Sequence, residues 1–122
     1  MPKKILITED SPTMRSLIVS TIEAAGDFEI IEASNGFEAL RMLPREKVDL
    51  VVTDINMPDI NGLELVSFIK TNPNYRSTPL IIISTEGSER DREKGMALGA
   101  NEYLVKPFAP AQLQELIRKY LG

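Results

Sequence analysis

The chain contains no cysteine and no histidine. Without cysteine there are no disulfides, no thiolate nucleophile and no sulfur-ligated metal, a composition that suits a reducing compartment. Without histidine the protein cannot carry a phosphoryl group on imidazole, activate a serine through a histidine base or build a histidine-ligated zinc centre. Any chemistry therefore falls to carboxylates, hydroxyls and amines. A basic cluster is missing too: 14 Lys and Arg stand scattered against 18 Asp and Glu, for a formal net charge of -4. That removes the phosphate-neutralising stripe of a nucleic-acid binder. Long apolar runs are also absent. The amino-terminal Met-Pro-Lys-Lys precedes three strongly apolar residues, Ile5 to Ile7, far short of a signal-peptide core of ~7–15 or a membrane span of ~20. The expectation is a cytoplasmic protein without membrane contact.

What is present is enough for one ordinary domain spanning residues 1–122, with 43% hydrophobic and 26% charged residues and no need of a metal or disulfide to fold. Four short apolar runs each end in reactive groups. Ile5-Leu6-Ile7-Thr8 leads to Glu9-Asp10, Leu50-Val51-Val52-Thr53 to Asp54, Leu80-Ile81-Ile82-Ile83 to Ser84, and Tyr103-Leu104-Val105 to Lys106. Continuous Ile/Leu/Val runs without polar alternation are the pattern of parallel strands covered on both faces. A further strand is predicted at about Phe28 to Ala33.

Helical segments alternate with these runs. Ser11 and Pro12 suit the cap and first position of a helix carrying Met14, Leu17, Ile18 and Ile22 and lasting until Gly26. A short second helix shows Ala39, Leu40 and Leu43 before Pro44, and a third carries Leu65, Val66 and Ile69 up to Asn72-Pro73. The fourth is predicted over about Glu89 to Leu98 with Gly99 beyond its end, its Glu89-to-Lys94 charge run reading as solvated surface. The last, opened by Pro110, repeats Leu113, Leu116, Ile117, Tyr120 and Leu121 at helical spacing. Five βα units predict an α/β fold: a doubly wound, five-stranded parallel sheet, (βα)5 and flavodoxin-like. The strand order 2-1-3-4-5 is adopted from known sheets of this kind; periodicity does not yield it. With that order strands one and three flank the topological switch, and ligands bind outside the carboxyl ends of strands there.

Glu9, Asp10 and Asp54 would then meet at one rim. Three carboxylates at close range repel, which raises at least one pKa unless a cation intervenes. With oxygen ligands alone, Mg2+ fits best and Mn2+ is the alternative. Once neutralised, one carboxylate can attack phosphorus and form an acyl phosphate, and Asp54 is the best placed to do so. Lys106 would offer a point charge to phosphoryl oxygens and Ser84 a hydroxyl.

These residues closely resemble the receiver domain of two-component response regulators, particularly the solitary chemotaxis type, and the resemblance runs the whole length. The family pattern is an acidic pair after strand one, a phosphorylated Asp after strand three, Ser or Thr after strand four, and Lys-Pro after strand five. Here these are Glu9-Asp10, Asp54 with Asn56, Pro58 and Gly62 following, Ser84 rather than Thr85, and Lys106-Pro107-Phe108. Glu9 is one methylene longer than the Asp more often found there. The resemblance implies that Asp54 accepts a phosphoryl group from a sensor histidine kinase. It implies that Asp10, Asp54 and the carbonyl of Asn56 bind Mg2+, with Glu9 acting through water. Lys106 would bridge to the phosphoryl group beside a cis bond to Pro107, Tyr103 would be the aromatic switch residue, and Asn56 and Glu86 would tune hydrolysis. Output would pass from the helix 4, strand 5 and helix 5 surface to a downstream protein, from a monomer or weak dimer. Such a protein is a phosphoacceptor, not an enzyme in the usual sense.

Three rival readings fit the sequence less well. A small Mg2+-dependent aspartyl phosphatase or phosphotransferase needs a second Asp two positions after the nucleophile, where this chain has Asn56. An FMN carrier needs a phosphate-binding loop after strand one, where Glu9-Asp10 would repel the ligand. A receiver-like scaffold that is never phosphorylated would not need the intact motif.

Overall fold

The structure, a computed structural model, describes residues 2–85 and 89–122. Its elements alternate as β1 (Lys4–Thr8), α1 (Pro12–Glu23), β2 (Glu29–Ala33), α2 (Gly36–Met42), β3 (Leu50–Asp54), α3 (Gly62–Thr71), β4 (Leu80–Ser84), α4 (Glu89–Ala97), β5 (Glu102–Val105) and α5 (Pro110–Leu121). All four strand pairings are parallel and the sheet order is β2-β1-β3-β4-β5. The doubly wound flavodoxin-like arrangement is thus the observed one. Every residue of β3 and β4 is buried, whereas the edge strands β2 and β5 are partly open. This is why the central runs are unbrokenly apolar while β2 can hold Glu29 and Glu32.

Strand alternation splits the core in two. Leu6, Val51 and Ile82 face the layer that includes Ala39, Leu65, Val66 and Ile69, while Ile5, Ile7, Val52, Ile81 and Ile83 face Ile18, Ile22, Leu113 and Ile117. Helices α2 and α3 therefore cover one face of the sheet and α1 and α5 the other. The stripe on α1 differs from expectation at one position. Ile18, Thr21 and Ile22 are its buried residues, and Leu17 is 49% exposed. A helix turns 100° per residue, so 18, 21 and 22 share a face and 17 lies off it. Helix α1 also stops before Gly26, with Ala24 as its C-cap.

Helix starts behave as their residues dictate. Ser11, Asn35 and Asn61 cap α1, α2 and α3 by accepting from the backbone N–H three residues on, and Glu64 returns a bond to Asn61 N–H to complete a capping box. Past the end of α4, Gly99 takes φ +111°, a conformation natural to glycine. Between the Lys70 side chain and its surroundings a second tie forms. The ammonium donates to the Thr78 and Arg76 carbonyls and to Asn101 Oδ1, at 2.6, 3.3 and 3.0 Å, joining α3 to the segments that enter β4 and β5.

The connection from β3 to α3 is closely folded. Gly62 N–H and Met57 N–H both donate to the Ile55 carbonyl, at 2.8 and 3.1 Å, and Asp59 takes φ +66°. A Cβ on Gly62 would lie 2.0 Å from the Asp54 carbonyl oxygen and 2.6 Å from Ile55 Cα. Both are backbone atoms, so the loop itself would have to move. Gly62→Ala is expected to cost about 3 kcal/mol or more, at the upper end of overpacking effects. Gly26→Ala, whose methyl would meet the Phe28 ring at 3.1 Å, should cost far less. Urea unfolding of the two variants checks this, and equal stabilities would refute it.

Candidate functional site

Parallel strands deliver their carboxyl ends to one rim, and the predicted residues gather there. Glu9 follows β1, Asp54 ends β3, Ser84 ends β4 and Lys106 follows β5. Ligand oxygens of Glu9, Asp10 and Asp54 all lie within 4.8 Å of one another, the single cluster of this kind among the described residues. Glu9 and Asp54 are buried, at 1% and 6% exposure, while Asp10 is exposed and opens the cluster to solvent. Lys106 reaches in from the far side. Its Nζ lies 2.7 Å from Glu9 Oε1 and 3.5 Å from Asp54 Oδ2, with a side chain only 7% exposed.

Each carboxylate is oriented by the backbone beside it. Asp54 Oδ1 accepts from Ile55 N–H at 2.8 Å, and Glu9 Oε2 accepts from Ser11 N–H at 3.1 Å. The Glu9 main chain is held by its N–H donating to the Ala33 carbonyl at 3.0 Å, and by Arg15 Nη1 donating to its own carbonyl at 2.8 Å. Lys106 N–H donates to the Ser84 carbonyl at 2.8 Å, extending the β4–β5 ladder one step past Val105, and the Lys106–Pro107 bond is cis, as expected.

Three carboxylates face one ammonium, so the site is short of positive charge. Burial pushes the Glu9 carboxyl above the ordinary range and the Asp54 charge adds to this, outweighing the Lys106 amine and the Ser11 N–H that pull it down. All donors are hard oxygens with no thiolate or imidazole near, which fits a hard divalent cation better than a soft one. Glu9, Asp10 and Asp54 are the residues that could hold it.

The remaining positions are less uniform. Ser84 is fully buried at the end of β4. Tyr103 on β5 is partly buried beside Gly95 of α4, packed against the core layer under that helix. Asn56 and Pro58 are exposed in the β3–α3 loop, and Gly62 is buried at its end. Pro107 is exposed. Glu86 lies outside the described residues. Two features were missed at the level of sequence. One is that Lys106 pairs more closely with Glu9 than with Asp54. The other is Arg15, for which a signal existed: a cation at the fourth residue of a helix, where the helix dipole disfavours it.

The chain matches the family described as "Response regulator receiver domain" over residues 5–118. It is 39% identical over 120 residues to the chemotaxis protein CheY homolog of Campylobacter jejuni, covering 98% of this chain and 92% of that protein. Among solved structures, Vibrio cholerae chemotaxis protein CheY4 superimposes with a TM-score of 0.90 at 33% identity, covering 99% of this chain and 100% of that one. The receiver domain of the Pseudomonas aeruginosa sensor histidine kinase PA1611, solved with a magnesium ion coordinated in its active-site cleft, gives 0.89 at 28% identity, covering 100% and 99%. With fold, rim chemistry and full-length similarity in agreement, the chain belongs to the response regulator receiver family of two-component signalling.

Proposed function

We propose that this receiver is switched by phosphorylation of Asp54, with Mg2+, or Mn2+ in its place, held by the side chains of Asp10 and Asp54 and the carbonyl of Asn56, and by Glu9 through water. The observation that carries this is the juxtaposition of three carboxylates within 4.8 Å with a buried ammonium 3.5 Å from Asp54. The phosphoryl group would come from a phosphohistidine on a sensor kinase. An Asp54 oxygen bonds to phosphorus, the P–N bond breaks, and the imidazole leaves with the kinase. The cation supplies charge neutralisation for the transferring group. Ile55 N–H fixes the rotation of the Asp54 carboxylate, Lys106 offers its ammonium to the phosphoryl oxygens, and the Ser84 hydroxyl offers a donor. Asn56 and Glu86 would set the room for a hydrolytic water. Self-catalysed gain and loss of phosphate is then the chain's only chemistry.

The added charge biases two packings of the rim, with Tyr103 as the mobile ring. The output reading is a downstream protein docking on α4, β5 and α5, where Met96 and Val105 are 39% and 42% exposed. A role in chemotaxis or motility follows from the similarity to chemotaxis proteins. A cytoplasmic setting, a monomer or weak dimer, and no direct contact with nucleic acid or membrane complete the proposal. Among the described residues no helix is long and apolar enough to cross a membrane. The phosphatase alternative is disfavoured by Asn56 and by the family match, and the scaffold alternative by the assembled rim.

Incubation with Mg2+ and acetyl phosphate, followed by intact-mass measurement, should add one phosphoryl group to the protein and none to Asp54→Asn. Equal incorporation in both would end the assignment. Lys106→Ala should still be phosphorylated, while the amide shift changes that phosphorylation produces across α4 and β5 shrink. Undiminished changes would remove Lys106 from the switch.

The acidic rim also makes a pH-dependent demand. A cation at a hundredfold excess over its Kd stabilises a fold by about 2.7 kcal/mol, so Mg2+ should raise the thermal midpoint. Because the native Glu9 carboxyl sits above its unfolded value, it keeps its proton at a pH where an ordinary Glu is ionised, and that proton competes with the cation. The Mg2+-induced rise should therefore shrink as pH falls from neutral into the mildly acidic range, before ordinary carboxylates titrate. Calorimetry at stepped pH values checks this, a constant rise being the contrary result.

A further inference from the structure

Arg15 stands where a helix least favours a cation, at the fourth residue of α1 and near the positive end of its dipole. Its guanidinium is nevertheless committed on two sides. Nη1 donates to the Glu9 carbonyl at 2.8 Å and Nε to Glu32 Oε1 at 3.2 Å, with the side chain 21% exposed. The β1–β2 ladder ends at the pair Thr8 and Ala33, so Glu9 is the first residue that strand pairing no longer holds from both sides. There Arg15 takes over. All four polar groups of Glu9 then have partners: N–H on Ala33, carbonyl on Arg15, Oε1 on Lys106 and Oε2 on Ser11.

We propose that Arg15 is a positioning residue of the divalent-cation site. Oriented by Glu32, it clamps the Glu9 carbonyl and so aims the Glu9 and Asp10 side chains at Asp54. The inference rests on reading Glu9, Asp10 and Asp54 as the site of that cation. It differs in sign from a purely electrostatic effect. A guanidinium on the Glu9 carbonyl brings positive charge to the cation site's border and repels a divalent ion, so removing its charge alone would tighten binding. Removing a clamp loosens binding, because the carboxylates must then be ordered at the moment the ion arrives. Partners that orient metal ligands are commonly worth 10–100-fold in affinity; acting through the backbone, Arg15 belongs near the lower end, about tenfold.

The test titrates Mn2+ into the unphosphorylated full chain and follows free Mn2+ by electron paramagnetic resonance. Wild type should bind and Asp10→Asn should bind poorly. Arg15→Gln should bind about tenfold more weakly than wild type, and Arg15→Lys, which keeps the charge and one donor for the Glu9 carbonyl, should recover part of the loss. Amide exchange at Asp10 and Ser11 should quicken in Arg15→Gln without metal. Unchanged or tighter Mn2+ binding in Arg15→Gln overturns the clamp and leaves the cation site standing. Failure of wild type to bind, or undiminished binding in Asp10→Asn, overturns the site and the clamp together. If circular dichroism shows Arg15→Gln unfolded, Arg15→Lys decides instead: it leaves the charge in place, and a fall in Mn2+ affinity below wild type supports the clamp while an unchanged affinity overturns it.

Discussion

A buried ammonium held between two buried carboxylates organises this molecule's working rim. Lys106 touches Glu9 at 2.7 Å and lies 3.5 Å from Asp54, joining the ends of β5, β1 and β3 across the sheet. Charges this far from solvent are costly unless paired, and a third carboxylate on Asp10 leaves the group short of positive charge. The rim is therefore built with unmet electrostatic demand. That demand is what would draw a small cation to a fold whose interior is largely aliphatic.

The rest of the architecture keeps that demand from relaxing. Core side chains on both faces fix β1, β3 and β4 in register, so their carboxyl ends cannot slide apart. Gly62 lets the chain turn directly against the Asp54 carbonyl, and Ile55 N–H holds the side chain of the same residue. On the β1 side, where the ladder runs out, Ala33 and Arg15 take the main chain of Glu9 from either side. On the β5 side the rim is less enclosed: β5 is a partly open edge strand, Tyr103 is only partly buried, and Met96 and Val105 stand exposed nearby.

Legibility in the sequence followed burial and chain-local chemistry. The runs Leu50 to Thr53 and Leu80 to Ile83 could be read because both faces of those strands are covered and every position is apolar. Helix α5 was clear because Leu113 and Ile117 sit at the centre of its stripe, and the caps Ser11, Asn35 and Asn61 act within a few residues of themselves. Leu17 was harder. It is as apolar as Ile18, and only the rotation of α1 on the sheet sends one outward and the other in.

The amino-acid sequence by itself determined the alternation of strands and helices, the punctuation between them and the presence of reactive groups at strand ends, since these depend on neighbours within a turn or a strand. The whole family motif was legible for the same reason. Only the tertiary structure decided which distant partners meet. The sheet order had to be adopted from known folds, because nothing local in a strand names its neighbour. The choice of Glu9 over Asp54 as the closer partner of Lys106, and the grip of Arg15 on the Glu9 carbonyl, depend on distances between elements up to 97 residues apart in the chain. Such distances are set by packing, which no local pattern encodes.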